Sequence, residues 1–297
     1  MPAGQSKEAE SMIRYQASRK RIAEMITAIN EGWFDRGREM TGRHEKAGRF
    51  IKHSQFWGDI KPAFMEIQHC KCAYCERVLE GAEYGRIEHD LEHFRPKNGV
   101  KTWPPPMKRA AYRSAKLISA LGAAFPVGYY WLAYDFRNYL TSCKTCNTIL
   151  KANYFPIAGA RASVNAGFPS LREERSYLPY PIGSHDTDPM RLIVFDGVTP
   201  VPVRSRGYDR DRAIVTIELF ELATRDILLR ERADVIWKVG TVLRRCPDED
   251  AAKSLLADSS AHANCARSFA RTYSQDVARA AEIYAEAARI CKMPSMW

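Results

Sequence analysis

The sequence predicts an α+β protein, predominantly α-helical, built around a compact core rich in Cys, His and Asn. Three observations lead there. Stretches near both ends carry apolar residues every three or four positions, the period of an amphipathic helix. Between them, residues 70–156 change texture to closely spaced Cys, His, Asn and aromatic residues. Further on, residues 191–203 (RLIVFDGVTPVPV) read as two short strands around Asp196-Gly197, a hairpin turn signal.

Taken in order, residues 7–30 place Met12, Tyr15, Ile22, Ile26 and Ile29 at mostly helical intervals and predict one amphipathic helix. A polar, Arg-rich stretch fills 31–52. Residues 55–67 predict another helix, with Pro62 in its first turn or at a kink. Trp103-Pro104-Pro105-Pro106 must be non-helical, because each proline drives the preceding residue out of the α region. A loop-rich stretch runs to about residue 189. The pattern then predicts helix over 211–243 and one long C-terminal helix after Ser259-Ser260, with Cys265, Phe269, Tyr273, Val277, Ala280, Tyr284, Ala287 and Cys291 along its apolar stripe. Cys265 and Cys291 are therefore expected to be small buried hydrophobes. Three segments follow: a helical 1–52, a core with an insertion over 53–160, and a hairpin with helices over 161–297.

Lys and Arg number 45 against 35 acids, a formal charge of +10, which favours polyanionic partners. Residues 93–134 contain no Asp or Glu but hold Arg95, Lys97, Lys101, Lys108, Arg109, Arg113 and Lys116. Alone, such a run reads as a solvated face. Beside the motif described below, it reads as a path for nucleic acid. No 18-residue apolar run occurs, and MPAGQSKEAE has neither an apolar core nor a small-residue cleavage site, so a cytoplasmic protein without membrane partners is expected. In that setting eight cysteines favour metal binding over disulfides.

Two Cys-x-x-Cys pairs, Cys72/Cys75 and Cys143/Cys146, offer the four thiolates that a structural Zn2+ prefers. With 67 residues between the pairs, the ion would close the base of a long insertion. Cys70 lies two before Cys72, the less usual spacing, and is treated as a spare.

Between and around the pairs stand Glu92-His93, Asn138 and Asn147. An acid followed by His, then Pro after a gap, then Asn-x-Leu ahead of Cys-x-x-Cys-Asn resembles the HNH, or ββα-metal, nucleases. The resemblance is closest to the HNH proteins found with retron and Septu antiphage systems. There the runs read Cys-x-Tyr-Cys-Glu, Glu-His-Phe-Arg-Pro-Lys, Trp-x-Asn-Leu and Cys-Asn-x-x-x-Lys-x-x-x-Phe-Pro; here they stand as CAYCE, EHFRPK, the looser WLAYDFRNYL, and CNTILKANYFP. They cover about residues 70–156. A weaker echo runs from Asp188-Pro189 through Gly197 and reaches Thr216-Ile217 and Arg230.

The resemblance implies a zinc-stabilised ββα-metal (HNH) core with His93 as general base, Glu92 and Asn147 as ligands of a catalytic Mg2+ or Mn2+, and Asn138 bracing the loop that orients the base. Glu replaces the Asp of many HNH proteins, a longer arm. It also implies a role in antiphage defence beside a separately encoded ATPase. This chain has no Gly-x-x-x-x-Gly-Lys-Ser/Thr loop, so ATP dependence would have to come from that partner.

Chemically the residues suit phosphodiester hydrolysis, which needs a base to activate water and a hard cation to take up charge on the phosphate. Lys151 and Arg95 are candidate phosphate contacts, joined by Lys97, Lys108, Arg109 and Arg113. His89, four before His93 and on the same strand face, is given a structural or auxiliary role. Tyr129, Tyr130, Trp131 and Tyr134 are expected to pack the hairpin. The expected substrate is double-stranded DNA. Two other readings remain open: a non-catalytic zinc module that binds nucleic acid, and a ribonuclease acting on transfer RNA.

Overall fold

The computed structural model describes residues 13–52, 55–81, 84–118, 121–246 and 249–292. Helix α1 spans Arg19–Ile29, shorter than the periodicity predicts. Ser18 stops it by capping, its hydroxyl accepting the Arg21 N–H at 3.2 Å. Tyr15, expected on that helix, instead pairs as an extended residue with Ile182, while Lys7 and Met12 lie outside the described residues. Helix α2 (Trp33–Ala47) occupies the Arg-rich stretch and ends at Gly48, whose φ of 62° favours glycine. A 3-10 turn, Trp57–Ile60, leads into α3 (Lys61–Ile67), with Pro62 in the first turn.

The centre of the molecule is short in regular structure. A one-turn helix α4 (Gly85–Glu88) feeds β1 (His89–His93), which pairs antiparallel with β2 (Tyr139–Cys143). The register sets His89 opposite Cys143 and His93 opposite Tyr139. Directly after β2 the chain winds into a π-helical segment, Thr145–Lys151. The insertion between the strands holds a 3-10 turn (Pro106–Ala111) and α5 (Arg113–Leu117); Trp103-Pro104-Pro105 is irregular as expected, but Pro106 opens the 3-10 turn, a position where its missing N–H leaves no bond unmade. It returns through Gly128, where any Cβ would fall 1.9 Å from the Asn98 carbonyl oxygen, so only glycine fits.

Beyond the core come α6 (Phe168–Glu173), the hairpin β3 (Ile193–Asp196) and β4 (Thr199–Pro202), α7 (Tyr208–Leu219) and α8 (Asp226–Arg245). The hairpin turns at Gly197-Val198, with Asp196 paired to Thr199. The expected C-terminal helix is two, α9 (Ala263–Gln275) and α10 (Val277–Lys292). Asp276 breaks it: the residue leaves helical geometry, and its carboxylate caps the Arg279 N–H at 2.9 Å. Cys265 is buried as expected, but Cys291, in the last turn of α10, is exposed, although Ala280 and Ala287 on the same stripe stay buried.

The largest apolar cluster joins Ile22, Ile26 and Trp33 of the first segment to Phe64, Tyr74, Leu140 and Phe155, so the N-terminal helices pack on the same core as the central strands. Tyr129, Tyr130, Trp131 and Tyr134 are all buried in it. A second cluster, including Ile236, Phe269 and Ile283, holds α8, α9 and α10 together. Among the described residues no helix is long and apolar enough to cross a membrane.

Candidate functional site

The two ends of the β1–β2 pair carry different chemistry. At one end the four sulfurs of Cys72, Cys75, Cys143 and Cys146 are buried and all lie within 4.8 Å of one another. Cys75 and Cys143 are 3.9 Å apart, close to the ~3.8 Å edge of a tetrahedron with Zn–S bonds of ~2.3 Å. Backbone contacts build this knuckle: Cys72 N–H donates to the Arg77 carbonyl, and Ala73 N–H to Thr141, both at 3.0 Å. Gln68 clamps the knuckle to β2, its side chain accepting the Thr141 N–H at 2.7 Å and donating to the Thr141 carbonyl at 2.9 Å. Contacts from Cys146, Cys72 and Cys75 pull the Cys143 thiol far below its ordinary range. The Arg225 guanidinium stands 3.3 Å from the Cys146 sulfur. This set can hold a metal such as zinc. Cys70 lies outside it.

Along β1, from Asp90 to its other end, a cleft of about 560 Å3 is lined by Asp90, Glu92, His93 and Asn147, with Lys61, Lys97 and Lys101. His93 closes β1, and its ring packs edge-on against Trp57 and Tyr139 with centroids 4.9 and 5.0 Å away. Its Nε2 lies 3.0 Å from the Ala133 carbonyl. A carbonyl only accepts, so Nε2 carries the proton and Nδ1 keeps the lone pair a base requires. Burial first, and then the charge of Lys97, hold the imidazole well below its ordinary pKa and therefore neutral.

Glu92 is buried and ion-paired with Lys151, whose ammonium also donates to the His93 carbonyl at 3.1 Å. Burial raises the Glu92 carboxyl above its usual range against the pull of Lys151. Asn147, in the π-helical segment, donates from Nδ2 to Asp90 at 3.1 Å, leaving its amide oxygen as a possible ligand atom. Asp90 also takes the Thr148 hydroxyl at 3.3 Å. Sequence reasoning passed over Asp90, although it stands two residues before Glu92 on a strand and so shares its face, a signal that the period of two supplies. Asp90, Glu92 and Asn147 thus line the same cleft, two carboxylates and an amide, the oxygen donor types that hard cations take.

Asn138 lies outside the cleft. Its amide oxygen accepts the Arg95 N–H at 2.8 Å and its Nδ2 donates to the Arg95 carbonyl at 3.0 Å, tying the start of the insertion to its end.

The candidate phosphate contacts divide. Arg95 is 8% exposed and committed to Glu174 at 3.0 Å and to the Leu171 carbonyl at 2.7 Å. Lys151 is fully buried on Glu92. These two are internal braces, because each lies beside a buried carboxylate that needs a counter-charge. Lys97 reaches the cleft, its ammonium 4.6 Å over the Trp57 ring. Arg109 and Arg113 are exposed on the insertion, and the Lys108 side chain lies outside what is described. His89 is fully buried and does not line the cleft.

Two curated relatives match. The chain is 34% identical over 98 residues to the Septu protein PtuB of Bacillus mycoides (strain KBAB4), which covers 33% of this chain and 26% of that protein. It is 28% identical over 165 residues to the Septu protein PtuA of the same strain, covering 56% of this chain and 19% of that protein. The matches thus span about a quarter and a fifth of the relatives' lengths. No family model and no solved structure matches.

Proposed function

We propose that this chain is a metal-dependent HNH endonuclease that cuts double-stranded DNA, working in antiphage defence with a protein partner. The observation that carries the reading is the placement of His93: neutral, oriented through Nε2 by a backbone carbonyl, and set in one cleft with Asp90, Glu92 and Asn147. A base held in one tautomer beside a hard-oxygen donor set is what hydrolysis of a phosphodiester requires, and a module that only binds nucleic acid has no use for it.

In this reading Asp90, Glu92 and Asn147 hold Mg2+ or Mn2+, which supplies Lewis-acid stabilisation of charge on the phosphate. His93 Nδ1 takes the proton of the attacking water. Lys151 keeps the Glu92 carboxylate in place, and Lys97 offers its charge to the substrate. The four cysteines hold a structural Zn2+ that fixes β2 and the segment carrying Asn147. The likeness to Septu proteins supports the defence setting and a protein partner from the same system; the HNH resemblance implies that this partner is an ATPase, and any ATP dependence would come from it, because this chain has no Gly-x-x-x-x-Gly-Lys-Ser/Thr loop.

The test is incubation of purified protein with plasmid and with total RNA, with and without Mg2+ or Mn2+. Metal-dependent nicking or linearisation of the plasmid is expected. Cleavage of RNA alone would move the assignment to a ribonuclease, and binding without cleavage under every metal would leave a zinc-binding nucleic-acid module.

A further inference from the structure

A second cavity, of about 330 Å3, is separate from the cleft and belongs to no part of the nuclease reading. Phe94 and Arg95 line it, whereas the flanking His93 and Pro96 line the cleft. Its walls are rich in arginine. Arg95, Arg137 and Arg212 are neutralised by Glu174, Asp135 and Asp186. Arg19, Arg172 and Arg175 have no acidic partner among the described residues. Asp186 is the one acid in the lining, and its carboxylate is already taken by Arg212 at 2.6 Å and by the N–H groups of Tyr180 and Thr187 at 2.8 and 2.7 Å.

Two buried donors point to something missing. The Arg212 side chain is 2% exposed, yet its Nε has no hydrogen-bond partner, and the Nε of Arg19 is likewise buried and unpaired. Leaving such donors unpaired is costly, and an acceptor in the cavity would relieve it. His185 stands at the same wall, its pKa lowered by partial burial and then by Arg19, Arg172 and Arg137, which places these charges in one field. The rest of the lining mixes aromatic rings, Phe168 and Tyr208 among them, with aliphatic and small polar side chains. Arg137 lies 4.2 Å over Phe168 and Arg175 4.3 Å over Tyr208, so each of these rings has a guanidinium on one face and lines the cavity beside it.

We propose that this cavity binds a mononucleotide, with Arg19, Arg175 and Arg212 on its phosphate and the aromatic wall of Phe168 and Tyr208 against its base. Arginine forks match phosphate oxygens, and aromatic faces accept any base. The volume sits at the lower end of small-ligand pockets, which suits one nucleotide and excludes a duplex.

The test is equilibrium titration of the full chain, without added divalent cation, using AMP, ATP, GMP and UMP, with adenosine and inorganic phosphate as half-ligands. At least one nucleotide should bind about tenfold or more tightly than either half-ligand. Arg19→Gln with Arg175→Gln should weaken it by about tenfold or more at an unchanged melting temperature. Arg172→Gln, exposed at the rim, should cost about threefold and keeps the test alive if the double variant fails to fold. Binding no tighter than that of inorganic phosphate would overturn the proposal, as would arginine variants that bind like wild type. So would binding of a 5′-phosphorylated oligonucleotide without any mononucleotide. Binding lost with His93→Ala would place the ligand in the cleft and overturn the assignment equally.

Discussion

The two ends of one short strand pair were built to opposite rules. By the rise of a strand, the Cys143 end and the His93 end of β1–β2 are about 14 Å apart. The cysteine end is closed: four identical soft ligands, buried, on two tight knuckles. The cleft that runs from Asp90 to the His93 end is open: an imidazole, two carboxylates, an amide and several lysines around a solvent-accessible space. A closed shell of one ligand type stabilises a fold. A mixed shell with one face open leaves room for water and phosphate. The strand pair links them, so damage to the first should destroy the second, while damage to the second should leave the first intact.

The largest effect should come from breaking the closed end. Cys143→Ser removes a thiolate from the shell, and the binding energy of a structural zinc, roughly 10–16 kcal/mol, is of the same order as a whole domain's stability. Loss of the cooperative unfolding transition is expected, together with loss of bound zinc by elemental analysis. Folded, zinc-free wild-type protein would remove the distinction between the two ends.

Next comes the open end. His93→Ala should lower plasmid cleavage by about 10²- to 10⁴-fold while zinc content and DNA binding persist. His89→Ala sharpens the contrast: that residue is buried opposite Cys143 and away from the cleft, so it should cost about 1–3 kcal/mol of stability and leave the cleavage rate per folded molecule near wild type. A dead His89 variant beside an active His93 variant would reverse the two roles.

A smaller effect belongs to the tie that closes the base of the insertion. Asn138→Ala frees both backbone groups of Arg95 and should cost about 1–3 kcal/mol in denaturant unfolding. If Asn138 held metal directly, metal affinity would fall while stability stayed constant. The smallest effect concerns the rim: neutralising the exposed Arg109 and Arg113 together should reduce the slope of log K against log salt by up to about 2 for duplex DNA, without touching stability. An unchanged slope would return them to the role of solvated surface.

The legible parts of this molecule are those whose information is local. Cys-x-x-Cys spacing brings two sulfurs to one point whatever surrounds them, and the sequence therefore named all four members of the cluster. The β3–β4 hairpin was marked by its own turn, and the packing role of Tyr129, Tyr130, Trp131 and Tyr134 by their apolar bulk. Helix limits were less legible, because a single capping residue, Ser18 or Asp276, overrode a periodic pattern that continued past it.

Charge assignments were the least legible. Arg95 and Lys151 read as phosphate contacts, but Glu174 and Glu92, the first of them 79 residues distant from its arginine, drew them inward. So the sequence by itself determined the ligand types, the knuckle spacing and the order of the candidate base and oxygen donors. Only the tertiary structure decided which cations line the cleft, brought Asp90 and Asn147 together, and assembled a second arginine-lined cavity from segments between Ala17 and Arg212. The reason is the same in each case. Ligand chemistry is a property of one side chain, whereas the state of a charge depends on which opposite charge and which apolar wall the rest of the chain folds against it.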